Sequence, residues 1–134
     1  MTTPTAQRVL VLDDERVIAN TLALILNRSG YEARAVYNAE AAIKTAGELL
    51  PDFLISDVIM DGMTGIDAAI RITEIVPQCR IILFSGQAAT ADLLERAEAN
   101  GHRFELISKP VHPRVLLARL KENPVIPPHT DSPF

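Results

Sequence analysis

The chain has 134 residues, 48% of them hydrophobic and 22% charged, with a formal net charge of −4. This is the size and composition of one globular domain and argues against a membrane or disordered chain. The acidic balance, with Lys and Arg scattered and no interleaved aromatics, argues against a nucleic-acid surface.

Met1 to Gln7 is polar, so no signal peptide is expected. No segment approaches the ~20 apolar residues of a membrane helix, and a cytoplasmic protein with no membrane or nucleic-acid partner is the expectation. Val9-Leu10-Val11-Leu12 is a short apolar run that stops at two aspartates and reads as a buried strand. From Glu15 the period changes. Ile18, Leu22, Ile25 and Leu26 share one helical face, and Gly30 supplies a stop. Glu32 to Val36 alternates polar and apolar, as a half-exposed strand does. Asn38 can cap a second helix with Ala39, Ala42, Ile43 and Ala46 on its inner face, ending before Pro51.

Phe53-Leu54-Ile55 is a third strand ending near Asp57, followed by a helix from about Thr64 to Val76 that Pro77 ends. Ile81-Ile82-Leu83-Phe84 is a fourth. An Ala-rich helix from about Ala89 to Asn100 stops at Gly101, and Arg103 to Leu106 alternates like the second strand. Pro113 suits the first position of a last helix with Leu116, Leu117 and Leu120 inward.

Five strands alternating with five helices predict an α/β fold, a doubly wound parallel sheet with helices on both faces. Strands one, three and four are apolar on both faces and belong in the centre; two and five alternate and belong at the edges. The order 2-1-3-4-5, that of flavodoxin-like sheets, satisfies this. Residues 1–122 are expected to form the one domain. Asn123 to Phe134 holds four prolines and no periodicity and is expected to be a disordered tail. Cys79 excludes an internal disulfide and reads as small apolar filler.

In such a sheet ligands bind beyond the carboxyl ends of the strands, where strand order reverses. Asp13 and Asp14 follow strand one, and Asp57 follows strand three. Carboxylates sharing a cleft repel one another, which raises some of their pKa values, and a hard cation such as Mg²⁺ relieves the repulsion. Ser85 and Lys109 follow strands four and five. Metal, hydroxyl and ammonium together suit a transferring phosphoryl group, with Asp57 as its covalent acceptor. Each residue alone has an ordinary reading as a cap, turn or loop. Four strand ends carrying Asp-Asp, Asp, Ser and Lys make the combination informative.

The segments Val9 to Glu15 (VLVLDDE), Leu54 to Asp67 (LISDVIMDGMTGID), Ile82 to Gly86 (ILFSG) and Ser108 to Pro110 (SKP) resemble the receiver domains of two-component response regulators, over roughly residues 8 to 120. The resemblance implies that Asp57 accepts a phosphoryl group from a histidine kinase or phosphotransfer protein. It implies Mg²⁺ bound by Asp14, Asp57 and the backbone carbonyl of Ile59, with Asp13 acting through water. It also implies a switch hydroxyl at Ser85, a pairing lysine at Lys109 and a cis Lys109–Pro110 bond. Departures are Asp61 where the family usually has proline, and Leu106 where it usually has the switch aromatic. Either Phe104 substitutes or the switch uses another element. The rate-tuning positions are Ile59 and Gln87; a bulky Ile59 is expected to hinder attacking water and slow self-dephosphorylation.

The enzyme alternative is a phosphohydrolase of the haloacid-dehalogenase type, which needs a second aspartate where Ile59 stands. A phosphorylation-independent interaction module has no need of the acidic cluster. No Gly-rich loop supports a flavin or dinucleotide binder. His102, His112 and His129 lack metal-site spacing, and His112 is expected to be a surface or capping residue rather than a phosphorelay histidine. The expected role is therefore not an enzyme's but a switch's: a receiver standing alone or cut from a longer protein, acting on a downstream protein target. The family's usual output or dimer face is helix four, strand five and helix five. Whether a homodimer forms there is a question the sequence leaves open.

Overall fold

The computed structural model describes residues 6–60, 64–86, 90–102 and 104–122. Its elements are β1 (Arg8–Leu12), α1 (Arg16–Arg28), β2 (Glu32–Val36), α2 (Ala39–Leu49), β3 (Phe53–Asp57), α3 (Gly65–Ile75), β4 (Arg80–Ser85), α4 (Thr90–Ala99), β5 (Glu105–Ser108) and α5 (Pro113–Lys121). The strands form one parallel sheet in the order β2-β1-β3-β4-β5, as the apolar runs predicted.

The central runs are apolar throughout because successive side chains enter different cores. Leu10, Leu12, Leu54 and Leu83 pack with Ala42, Ala46, Ala69 and Ile72 from α2 and α3. Val9, Val11, Ile55, Ile82 and Phe84 pack with Leu22, Leu26, Leu116 and Leu120 from α1 and α5. Each buried aliphatic contributes about 1.5–3 kcal/mol from area alone. Edge strand β2 alternates, with Glu32 and Arg34 exposed.

Helix ends follow local chemistry. The Asn38 carboxamide oxygen accepts from Ala41 N at 2.8 Å, and Thr64 Oγ1 accepts from Asp67 N at 3.2 Å. His112 is a cap as expected, its Nδ1 accepting from Arg114 N at 3.2 Å, with Pro113 opening α5. Gly30 and Gly101 leave α1 and α4 with φ of 99° and 89°. Cys79 is buried filler, its thiol pushed up to about 12 chiefly by burial.

One strand is corrected. Arg103 to Leu106 was the expected fifth strand, but β5 runs from Glu105 to Ser108. Alternation puts the apolar side chains at Phe104 and Leu106, whereas β5 buries Ile107 and leaves Leu106 exposed, so the pattern does not locate the strand. Pairing with β4 does, matching Ile82 to Glu105 and Ser85 to Ser108 and burying Ile107. Residues Met1 to Thr5, Asp61, Gln87, Ala89, Arg103 and the tail Asn123 to Phe134 lie outside the described residues.

At the amino-terminal end of the sheet the Arg80 guanidinium binds both Glu105 carboxylate oxygens and donates to the Glu122 carbonyl at 2.7 Å. It also lies 5.7 Å from the Phe53 ring centre, and Arg119 approaches Glu105 at 3.7 Å.

Candidate functional site

The loops after β1, β3, β4 and β5 converge at the carboxyl end of the sheet. Asp13, Asp14 and Asp57 bring carboxylate oxygens within 4.8 Å of one another. Asp13 is 0% exposed. Its backbone N–H donates to the Val36 carbonyl at 3.2 Å, which holds the strand exit against β2. Its Oδ1 accepts from Glu15 N at 2.9 Å, while Oδ2 has no hydrogen-bond partner. Burial raises the Asp13 pKa to about 6, and the neighbouring Asp57 and Asp14 charges push the same way against the lowering by the Glu15 amide and Lys109. A buried oxygen without a donor, among clustered carboxylates, is a donor set that fits a hard divalent cation.

Lys109 lies opposite. Its Nζ is 3.1 Å from Asp57 Oδ1 and 5.7 Å from the Phe84 ring centre. The Lys109 backbone N–H donates to the Ser85 carbonyl at 3.1 Å, tying the β4 and β5 exits together, and the Lys109–Pro110 bond is cis. Asp14, Glu15, Asp57, Ile59, Ser85 and Lys109 surround a cavity of about 410 Å³. Asp57 and Ser85 are buried at its base, while Ile59 is 43% exposed at its rim. The fold therefore brings together Asp13, Asp14, Asp57, Ile59, Ser85 and Lys109, all the site residues the sequence singled out.

Other contacts were not legible in the sequence. A Cβ on Gly65 would stand 1.9 Å from the Asp57 carbonyl oxygen and 2.7 Å from Ser56 Oγ, so only glycine lets α3 start this close to the end of β3. Gly65 N also donates to the Val58 carbonyl at 2.8 Å, and the buried Ser56 hydroxyl donates to the Asp57 carbonyl at 2.9 Å. The acceptor's backbone is thus held from behind. The sequence hint for Gly65 was its place eight residues after Asp57, where a tight connection must return to a helix.

Leu106, at the usual switch-aromatic position, and Phe104 lie on or beside edge strand β5. Leu106 is 41% exposed on edge strand β5. Phe104 packs against the core beneath α2 and α3, and its ring stacks on His102 with centres 6.1 Å apart. Among the described residues no helix is long and apolar enough to cross a membrane.

A five-stranded parallel sheet in the order 2-1-3-4-5, with an acidic cluster and a lysine at its carboxyl end, places the chain among flavodoxin-like α/β domains. The family profile of the response regulator receiver domain matches residues 9–121, and the chain belongs to that family. The chemotaxis protein CheY of Thermotoga maritima is 33% identical over 117 residues, covering 87% of this chain and 96% of that protein. The DNA-binding response regulator MtrA of Mycobacterium tuberculosis is 30% identical over 115 residues, covering 86% of this chain. This chain spans about half the length of the MtrA relatives, 49% in that case. A response regulator of Burkholderia pseudomallei, solved with a phosphorylated aspartic acid, calcium ion and citrate, superposes with a TM-score of 0.74 at 31% identity. That match covers 86% of this chain and 66% of the other.

Proposed function

We propose that this domain is a phosphorylation-dependent signalling switch in which Asp57 accepts a phosphoryl group from a phosphohistidine on a sensor kinase or phosphotransfer protein. The observation that carries the reading is one cluster: three carboxylates with oxygens within 4.8 Å, and the Lys109 ammonium 3.1 Å from Asp57 Oδ1. The P–N bond of the donor breaks, an O–P bond forms at Asp57, and the departing imidazole takes a proton from solvent. Lys109 and the Ser85 hydroxyl would meet the phosphoryl oxygens, where the transferring charge lies. Asp14, Asp57 and the Ile59 carbonyl would hold Mg²⁺, with Asp13 through water; the ion would supply positive charge for the same oxygens. The Burkholderia relative with its phosphorylated aspartate supports the acceptor role by similarity.

Residues 1–122 act as the receiver on this reading, with 123–134 as an appended tail, and the domain works in the cytoplasm. It assists its own phosphorylation and dephosphorylation rather than turning over a substrate, and its output is a protein contact. Ile59 at the rim would slow the attack of water, so slow self-dephosphorylation is expected, and a phosphoryl half-life of seconds or less with Mg²⁺ present would count against it. Intact-mass measurement after acetyl phosphate and Mg²⁺ tests the assignment. The wild type should gain the mass of one phosphoryl group and Asp57→Asn should gain none. An adduct persisting in Asp57→Asn would remove Asp57 from the mechanism.

A further inference from the structure

We infer that Phe84 is a positioning residue for Lys109, and that it carries a change at Asp57 to the side of the sheet covered by α1 and α5. Phe84 is the direct register partner of Asp57 across β3 and β4, and of Ile107 across β4 and β5. Paired residues share a sheet face, so Asp57, Phe84 and Ile107 form one row on the α1–α5 side. The Phe84 ring is 1% exposed within the core built with α1 and α5. Lys109 Nζ reaches two members of this row, 3.1 Å from Asp57 Oδ1 and 5.7 Å from the Phe84 ring centre. An ammonium within about 6 Å of a ring is attracted by its quadrupole, more strongly when shielded from water.

The same ring lines a second cavity, a groove of about 560 Å³ bordered by Val17 and Ile18 of α1 and by Val111. Lys109 and Glu15 border both this groove and the acidic cavity. Leu106 offers no comparable route: it is an exposed aliphatic without a π face, paired with Leu83, which faces the opposite core. Phe104 packs against that opposite core too.

This inference rests on Asp57 as acceptor, and adds the direction in which its state is transmitted. A phosphoryl group on Asp57 places new anionic oxygens beyond Oδ1 and draws the Lys109 ammonium toward them. The cation leaves the face of Phe84, and the wall of the groove is free to repack.

The test uses the full chain as wild type, Phe84→Leu, Phe84→Tyr and Leu106→Ala. Before any phosphorylation, NMR should place the Lys109 Hε resonances upfield in wild type and Phe84→Tyr, and return them to ordinary positions in Phe84→Leu. Identical Hε shifts in wild type and Phe84→Leu would overturn the contact, whatever Asp57 does. After acetyl phosphate and Mg²⁺, hydrogen exchange should change in peptides covering Val17 to Ile25 and Val111 to Leu116. That response should survive in Phe84→Tyr and Leu106→Ala and be lost in Phe84→Leu. An Asp57 adduct whose exchange response persists in Phe84→Leu, or centres on Glu105 to Ile107, would refute the route. Absence of any adduct in wild type with the Hε pattern intact would instead count against Asp57 as acceptor and leave the positioning of Lys109 upheld.

Discussion

At the amino-terminal end of the sheet charges are matched and hydrogen-bonded: Arg80 binds both oxygens of Glu105, reaches the Glu122 carbonyl and lies over Phe53. At the carboxyl-terminal end Asp13, Asp14 and Asp57 crowd their carboxylates together, Lys109 contacts Asp57, and Asp13 keeps an oxygen without a donor. The two ends differ by a few residues of strand length yet do opposite work. One locks β4, β5 and α5 together. The other holds an arrangement that is unfavourable until a cation or phosphoryl group completes it, a common condition of functional sites.

The largest expected effect sharpens this contrast from the quiet end. Arg80→Ala should lower unfolding stability by about 3 kcal/mol, since it leaves Glu105 with the longer contact to Arg119 and removes the bond to the Glu122 carbonyl. Denaturant unfolding measures it, and phosphoryl uptake by the fraction still folded should be unchanged. Gly65→Ala should cost about 3 kcal/mol by overpacking, because its Cβ would collide with the Asp57 carbonyl. Here uptake should fall along with stability, as the collision displaces the acceptor.

Asp13→Asn should act in the opposite sense. The folded-state pKa of Asp13 is raised to about 6, from an ordinary value of 3.8. The folded chain therefore binds this proton more tightly than the unfolded chain. The resulting stabilisation is full below pH ~4 and is lost as pH rises through ~6. At pH 7 without metal, Asp13→Asn should be more stable than wild type by about 2 kcal/mol, since it avoids burying that charge. Added Mg²⁺ should narrow the gap. A thermal melt with and without chelator reads both, and a metal-free wild type that melts above Asp13→Asn would break the comparison. The smallest effect is at His112, whose loss as a cap in His112→Ala should cost about 0.5 kcal/mol with no change in phosphoryl uptake.

Much of this was legible in the sequence for specific reasons. Apolar runs ending at Asp13, Asp57 and Ser85 locate buried strands and the groups at their exits together. Parallel pairing then gathers those exits without further information. The beginning of β5 was not legible, because the alternation at Arg103 to Leu106 marks Phe104 and Leu106, while pairing with β4 buries Ile107 and leaves Leu106 exposed. Nor were the contacts of Gly65 with the Asp57 carbonyl or of Phe84 with Lys109. Those depend on where α3 and the segment after β5 come to rest, a tertiary outcome that local periodicity does not encode.

The alternation along β1 has a bearing on how the domain comes apart. Val9 and Val11 belong to one core, Leu10 and Leu12 to the other, and β3 and β4 are shared in the same way. The sheet is a party wall, so neither core can melt while its neighbour stands. A chain with two hydrophobic clusters should therefore denature in a single step, with calorimetric and van't Hoff enthalpies in agreement.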